Sequence, residues 1–202
     1  DEVKVENPIS VYSDKAFWVF FAAMFIFGFV FLQYFSTLPL YYKDAHHLSE
    51  LEIGLLMGFN GFFIFLFEMP LIKWLEDSKK AKVKLIAIGL FLVAMSFVVL
   101  NLTSWIGILI IGMFLMTIGE MIAFPFSNAF AVERAKKGNQ GEYMALYSIS
   151  FSLAHIFSHN TGMQMLDKFG FEFTWNVITI TALVGVAILF LLMLLLKNEK
   201  SV

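Results

Sequence analysis

Six long apolar stretches constrain the fold of this 202-residue chain more than any other feature. A helix needs about 20 largely apolar residues to cross about 30 Å of hydrocarbon. Continuous runs of this length are typical of helices, whereas strands of membrane barrels alternate over about 10 residues. We therefore predict an all-α membrane protein, with a cytoplasmic linker at 1–15 and a tail at 197–202. The predicted spans are 16–42, 51–75, 85–102, 105–132, 143–166 and 173–196, which together form a transmembrane domain at 16–196.

Composition supports a lipid bilayer as the main surrounding. The chain is 59% hydrophobic and 15% charged, whereas soluble domains carry about 25% charged residues. Its net charge of −2 gives no basic field for nucleic acid. The absence of cysteine excludes disulfides, thiol catalysis and cysteine metal sites. We expect an integral, multi-pass protein of the bacterial inner membrane.

Basic residues fall mainly in alternate loops, and this asymmetry predicts orientation. Most lie before span one, after span two, after span four or after span six, and only two lie in the other loops. Both termini are therefore expected in the cytoplasm. The residues on that side are Lys4, Lys15, Lys79, Lys80, Lys82, Lys84, Arg134, Lys136, Lys137, Lys197 and Lys200; the two others are Lys43 and Lys168.

Polar side chains divide the spans into two equivalent sets of three. Spans one, two, four and five carry polar groups, whereas spans three and six are almost purely apolar and are expected to face lipid. This 3+3 pattern recurs in transporters. Glycines on spans two and four are expected to permit close helix contact. The residues predicted to line a substrate cavity are Gln33, Asn60, Phe124, Asn128 and Ser152.

Glu120 is the only formally charged residue between Trp105 and Val132. A carboxylate near the bilayer centre costs about 2.5–3.5 kcal/mol on insertion scales, so chains that keep one usually use it for ions, protons or polar substrates. We therefore predict that Glu120 couples protons to transport. The alternatives are a structural interhelical bond and a carboxyl group that is kept neutral.

Span five carries Ser148, Ser152, His155 and His159 on one helical face. The two histidines are predicted to relay protons, and their depth suggests a Glu120–His155 pair. Hydrogen bonds to neighbouring helices are the alternative, and a metal site is disfavoured. Glu68 is assigned a weaker coupling or gating role, with pairing to Lys73 as another explanation.

Several motifs are similar to those of the major facilitator superfamily, in particular its C-terminal half. The stretch 68–77 and the lysines that follow it resemble the family's cytoplasmic loop motif between helices eight and nine. Lys73 stands in place of the first glycine of that motif, and Ser78 in place of its arginine. A second resemblance is to the region of helices ten and eleven in 12-helix drug:proton antiporters. In this chain it is carried by Gly119, Glu120 and Pro125, and then by residues 141–147.

The resemblance implies a non-enzymatic, proton-coupled exporter of lipophilic or drug-like compounds that works by alternating access. Its small-molecule substrate would bind between this half and an N-terminal six-helix half, with protons as the coupling ion and no cofactor. Asp77 and Lys73 would hold the cytoplasmic gate. Two alternatives stay open: a proton-coupled importer of peptides or other small polar solutes, and a non-transporting interaction protein or six-helix homodimer.

Overall fold

The computed structural model describes residues 10–78, 81–136 and 139–199, and this part of the chain is helical. Most of the predicted linker, the last residues of the tail and five of the basic residues used for orientation lie outside it. The helices are α1 (Lys15–Ser36), α2 (Leu38–Asp44), α3 (Glu50–Asp77), α4 (Lys82–Leu100), α5 (Gly107–Ala135) and α6 (Gln140–Glu199). Five segments, with α1 and α2 counted as one, are long and apolar enough to cross a membrane.

The first predicted span is two helices rather than one. Asp14 caps α1, because its side chain accepts a hydrogen bond from the Phe17 N–H at 3.1 Å. The helix ends at Ser36, and α2 resumes with Pro39 in its first turn. Proline lacks an N–H and is suited to the start of a helix.

Helix α4 packs tightly against α5 through glycine. A Cβ atom at Gly119 would lie 2.7 Å from the Gly89 carbonyl oxygen, and one at Gly89 would lie 2.6 Å from the Gly119 carbonyl oxygen. The expected role of glycine is therefore confirmed here. On α3 it stays a prediction: among the described residues a Cβ atom at Gly54, Gly58 or Gly61 would meet nothing within 4 Å, because that side of α3 is open.

Helix α3 is attached loosely by comparison. It begins with a capping box in which Ser49 and Glu52 bond each other's backbone N–H groups. It packs mainly against α5, and its buried residues are Asn60 and Leu75. Most of its remaining surface is exposed and apolar, including Phe62 and Phe65.

Helix α6 joins the two predicted spans 143–166 and 173–196 in one element interrupted at Gly170. This glycine has a φ of 76°, a left-handed value that favours glycine. The first arm, 140–169, packs on α1, where the Ser158 hydroxyl donates to the Phe29 carbonyl at 2.9 Å. The second arm, 171–199, packs on α4, where the rings of Phe97 and Trp175 lie 5.3 Å apart.

The two ends of α6 meet, so the chain reverses direction at Gly170. Tyr143, near the start of the first arm, and Glu199, at the end of the second, both reach the Asp14–Arg134 pair. A straight helix of that length would be about 90 Å long, so its ends could not meet. The prediction of an all-helical membrane fold is confirmed; six membrane spans, their 3+3 arrangement and the cytoplasmic termini stay predictions.

Candidate functional site

Glu120 lies in the middle of α5 and is only 8% exposed. Its Oε1 accepts a hydrogen bond from Asn60 Nδ2 at 2.8 Å. The same Asn60 amide donates to Thr117 Oγ1 at 2.7 Å, and the Thr117 hydroxyl donates to the Met113 carbonyl at 2.7 Å. We call Asn60, Thr117 and Glu120 the polar node. It is a polar connection between two otherwise apolar helices.

Helical geometry explains why these residues meet. Thr117 and Glu120 are three residues apart on α5 and therefore share a face. Asn60 lies near the middle of α3, and its amide has two N–H donors, one for each partner. The sequence predicted Asn60 and Glu120 separately but missed Thr117, although its helical spacing from Glu120 was available as a signal.

The polar node can hold Glu120 in either protonation state. A carboxylate and a neutral carboxylic acid both offer an oxygen to the Asn60 N–H, so the bond can persist when a proton binds at Oε2. The bond to the ionised form is about twice as strong. Protonation would therefore weaken the connection between α3 and α5 without breaking it.

Tyr34 is a further residue that the sequence did not indicate. Its ring is buried, and within the described part of the chain its hydroxyl has no hydrogen-bond partner. It lies close enough to Glu120 to interact with it electrostatically.

Gln33 is fully buried between α1 and the first arm of α6. Its Nε2 donates to the hydroxyl and the carbonyl of Ser158 at 2.8 and 3.0 Å. A Cβ atom at Gly162 would overlap the Gln33 amide, so the glycine makes room for it. The structure accounts for Gln33 by helix packing, and its cavity-lining role stays a prediction.

Phe124 belongs to an aromatic cluster that joins α1, α5 and the first arm of α6. Its ring centroid lies 4.8 Å from those of Phe27 and Phe31 and 5.5 Å from that of Phe151. It is half-buried. Contact with a substrate stays a prediction.

The serine and histidine stripe forms one exposed face: Ser148, Ser152, His155 and His159 are all exposed. Asn128 on α5 is exposed too. Within residues 10–78, 81–136 and 139–199, neither histidine bonds to Glu120, and no acidic, histidine or cysteine cluster suited to a metal occurs. The expected Glu120–His155 pair is therefore wrong for this structure, because Glu120 is bonded to α3 instead. Relay by the histidines stays a prediction.

The predicted gate residues lie near the end of α3. Lys73 and Asp77 are exposed, and Glu68 is half-buried. Among the residues that the structure describes, the predicted pairing of Glu68 with Lys73 does not occur. At the same end of the bundle, Lys82 of α4 pairs with Glu133 of α5. Coupling and gating by the three α3 residues stay predictions.

A buried ion cluster was missed by sequence reasoning. Arg134 donates two bonds to Asp14 at 2.7 Å each and also bonds Glu199 at 2.6 and 2.7 Å. Tyr143 donates to Asp14 at 2.9 Å. Burial acts to raise the pKa of Asp14, but the bonds and charge of Arg134, with those of Phe17 and Tyr143, outweigh it and hold this pKa below its ordinary value. The cluster joins α1, α5 and both ends of α6.

Comparison with known proteins decides the family. The sequence profile described as Major Facilitator Superfamily matches residues 5–159, which is most of the chain. The chain belongs to the Major Facilitator Superfamily. This confirms the family resemblance drawn from the sequence and makes the protein a multi-pass membrane protein of a transporter family.

A curated relative agrees with this assignment. The chain is 21% identical over 182 residues to a protein named Na(+), Li(+), K(+)/H(+) antiporter from Planococcus maritimus. The alignment covers 83% of the chain but 42% of that relative, so the chain spans less than half of the relative's length.

Proposed function

We propose that the chain forms one six-helix half of a proton-coupled secondary transporter, in which Glu120 binds the coupling proton. The observation that carries the proposal is the burial of Glu120 in a membrane-length helix, bonded by Asn60 of another helix. An intramembrane carboxylate is costly unless it is paired or used. Its hydrogen-bonding partners here are neutral, which leaves protonation as the way to remove its charge.

Protonation of Glu120 would alter how α3 is held. Asn60 is the buried residue in the middle of α3, and its amide bonds both members of the polar node on α5. Loss of the charge weakens one of these bonds. In the proposed mechanism, α3 then shifts relative to the rest of the half and changes access to the substrate cavity from one side of the membrane to the other.

The other half of the transporter is proposed to cover the exposed sides of α3 and of the first arm of α6. Both helices present large apolar side chains there, among them Phe62, Phe65, Ile156 and Phe157. The exposed stripe with His155 and His159 lies on the first arm, so it would line the cavity between the halves. The two arms of α6 would be separate spans, which completes six.

We propose export of lipophilic compounds in exchange for protons as the first function. The antiporter relative favours proton exchange, and the aromatic cluster around Phe124 suits an apolar substrate. The second candidate is proton-driven export of alkali cations, which the printed name of that relative favours. The polar node supports it chemically, because its carboxylate and hydroxyl oxygens are ligands that hard cations prefer.

Transport by the full-length protein in proteoliposomes tests the proposal. Under an imposed pH gradient, efflux of a lipophilic cation dye and of Na⁺ or K⁺ would be measured in parallel. Dye efflux alone supports the first candidate, and alkali cation efflux alone supports the second. Uptake of peptides together with protons would contradict both. Flux that is unaffected by the pH gradient would overturn proton coupling itself.

A further inference from the structure

A long apolar groove runs between α4 and the second arm of α6, on a different part of the bundle from the polar node. It encloses about 700 Å³. Its walls include the exposed side chains of Ile88 and Phe91 on α4, and of Leu183, Phe190 and Leu194 on α6. These are the two helical segments that the sequence predicts to face lipid, so the groove would open toward the bilayer.

The groove has a single charged residue at one end. Lys84 lines it from the first turn of α4 and is exposed. Within the described ranges Lys84 forms no ion pair, whereas Lys82 two residues earlier pairs with Glu133. An apolar groove with an unpaired cation at its mouth is complementary to an amphipathic anion.

The start of α4 adds to this positive charge. Its N-cap residue is Ala81, which has no side-chain oxygen to accept an N–H group of the first turn, and that turn contains no acidic residue. The N-terminus of a helix carries about half a positive charge and favours anions. Lys84 and the α4 N-terminus therefore point to one anionic group at the same end of the groove.

The length of the groove matches one leaflet of a membrane. On α6 it extends from Leu183 to Leu194, a rise of about 16 Å at 1.5 Å per residue. One leaflet contributes about 15 Å of hydrocarbon. The mouth with Lys84 lies at the end of the bundle that carries the ion cluster, which the charge distribution predicts to be cytoplasmic.

We propose that this groove binds an anionic phospholipid of the cytoplasmic leaflet. An acyl chain would lie along the apolar walls, and the phosphate would contact Lys84 and the N-terminus of α4. A second copy of the chain is a poorer occupant, because it would bury an unpaired lysine. The other half of the transporter is expected on α3 and the first arm, so it would leave the groove open. The inference does not depend on the proposed transport reaction.

Lipid binding to the delipidated full-length protein tests the headgroup contact. Native mass spectrometry in detergent would compare phosphatidylglycerol with phosphatidylcholine for the wild type, Lys84→Gln and Lys15→Gln. Lys15 is the matched control, since it is exposed at the same end and does not line the groove. We expect Lys84→Gln to weaken phosphatidylglycerol binding about fivefold, the factor that corresponds to about 1 kcal/mol per basic residue, and Lys15→Gln to leave it unchanged.

A second pair of variants tests the acyl-chain contact. Ile88→Trp places a larger side chain in the groove, whereas Ile180→Trp changes an exposed residue of the same arm outside it. Binding of both lipids should fall in Ile88→Trp only. Equal losses in Lys84→Gln and Lys15→Gln, or no preference for phosphatidylglycerol in the wild type, would overturn the proposal. So would a dimer that Ile88→Trp dissociates while lipid binding stays unchanged.

Discussion

Helix α5 has two sides that are held in opposite ways. On the side of α4, Gly89 and Gly119 bring the two backbones into direct contact, and an added Cβ atom would clash with a carbonyl oxygen. On the side of α3, the buried connection in mid-helix is the Asn60 amide, and the α3 glycines face open space. The first contact is fixed by the shape of the two backbones, whereas the second is made by polar side chains and depends on the charge of Glu120.

The two kinds of contact indicate which helices of this half can move. Close backbone packing at glycine has one well-fitted arrangement, because a shift of either helix produces overlap. Helix α3 meets α5 through the polar node and ring contacts such as Phe63 with Phe114 at 5.0 Å, and side-chain contacts of this kind can be rearranged at smaller cost. Helices α4, α5, α1 and α6 therefore form the fixed part of the half, and α3 is the element whose position a proton on Glu120 would influence.

The largest expected effect comes from the ion cluster at the end of the fixed part. Arg134→Gln leaves the buried carboxylate of Asp14 without its main partner, and such changes cost about 3–5 kcal/mol. The free energy of unfolding in detergent would measure the loss. Lys82→Gln, at an exposed pair, should cost at most about 1 kcal/mol. Similar losses in the two variants would show that the ion cluster stabilises the fixed part no more than an exposed ion pair does.

Glycine substitutions test the contrast between the two sides of α5 directly. Gly119→Ala should destabilise the chain by about 1–3 kcal/mol, because its Cβ meets backbone atoms of α4. Gly58→Ala on α3 meets nothing and should gain up to about 1 kcal/mol from better helix propensity. Thermal unfolding of this chain in detergent distinguishes them. Equal shifts would mean that α3 is packed as closely as α4.

Asn60→Ala tests the attachment of α3. It removes both bonds of the polar node and leaves Glu120 without that donor, at a cost of about 1–3 kcal/mol. Hydrogen–deuterium exchange should accelerate in α3 and stay unchanged in α4. Asn128→Ala is the control, because Asn128 is exposed on the same helix as Glu120. Faster exchange in both helices would contradict a separately attached α3.

The smallest effect is a dependence of stability on pH. Since the folded-state pKa of Asp14 lies below its ordinary value, the ion cluster stabilises the fold above about pH 3.9, the ordinary aspartate value. This contribution is lost as the pH falls through the lower folded-state pKa. In Arg134→Gln the bonds and charge of Arg134 no longer lower the pKa of Asp14, so the loss of stability on acidification should be much smaller. Identical acid unfolding profiles would contradict this.

Much of the fold and the identity of the central carboxylate could be predicted from apolar length and charge. The partner of Glu120 could not. A rise of 1.5 Å per residue gives the depth of Glu120 and His155 but not the direction in which either points. Packing of Ala154 and Ser158 against α1 turns His155 outward. The ion cluster was missed because Asp14, Arg134 and Glu199 are far apart in sequence and meet only when α6 folds back at Gly170.

Proton-coupled transport by the Glu120→Gln variant tests whether Glu120 binds the coupling proton. Glutamine keeps the shape of the side chain and can still accept the Asn60 bond, but it cannot exchange a proton. In proteoliposomes with an imposed pH gradient, we expect efflux driven by the gradient to be abolished in Glu120→Gln. It should persist in Glu76→Gln, which changes an exposed carboxylate of α3. Proton-driven efflux at the wild-type rate in Glu120→Gln would contradict the account.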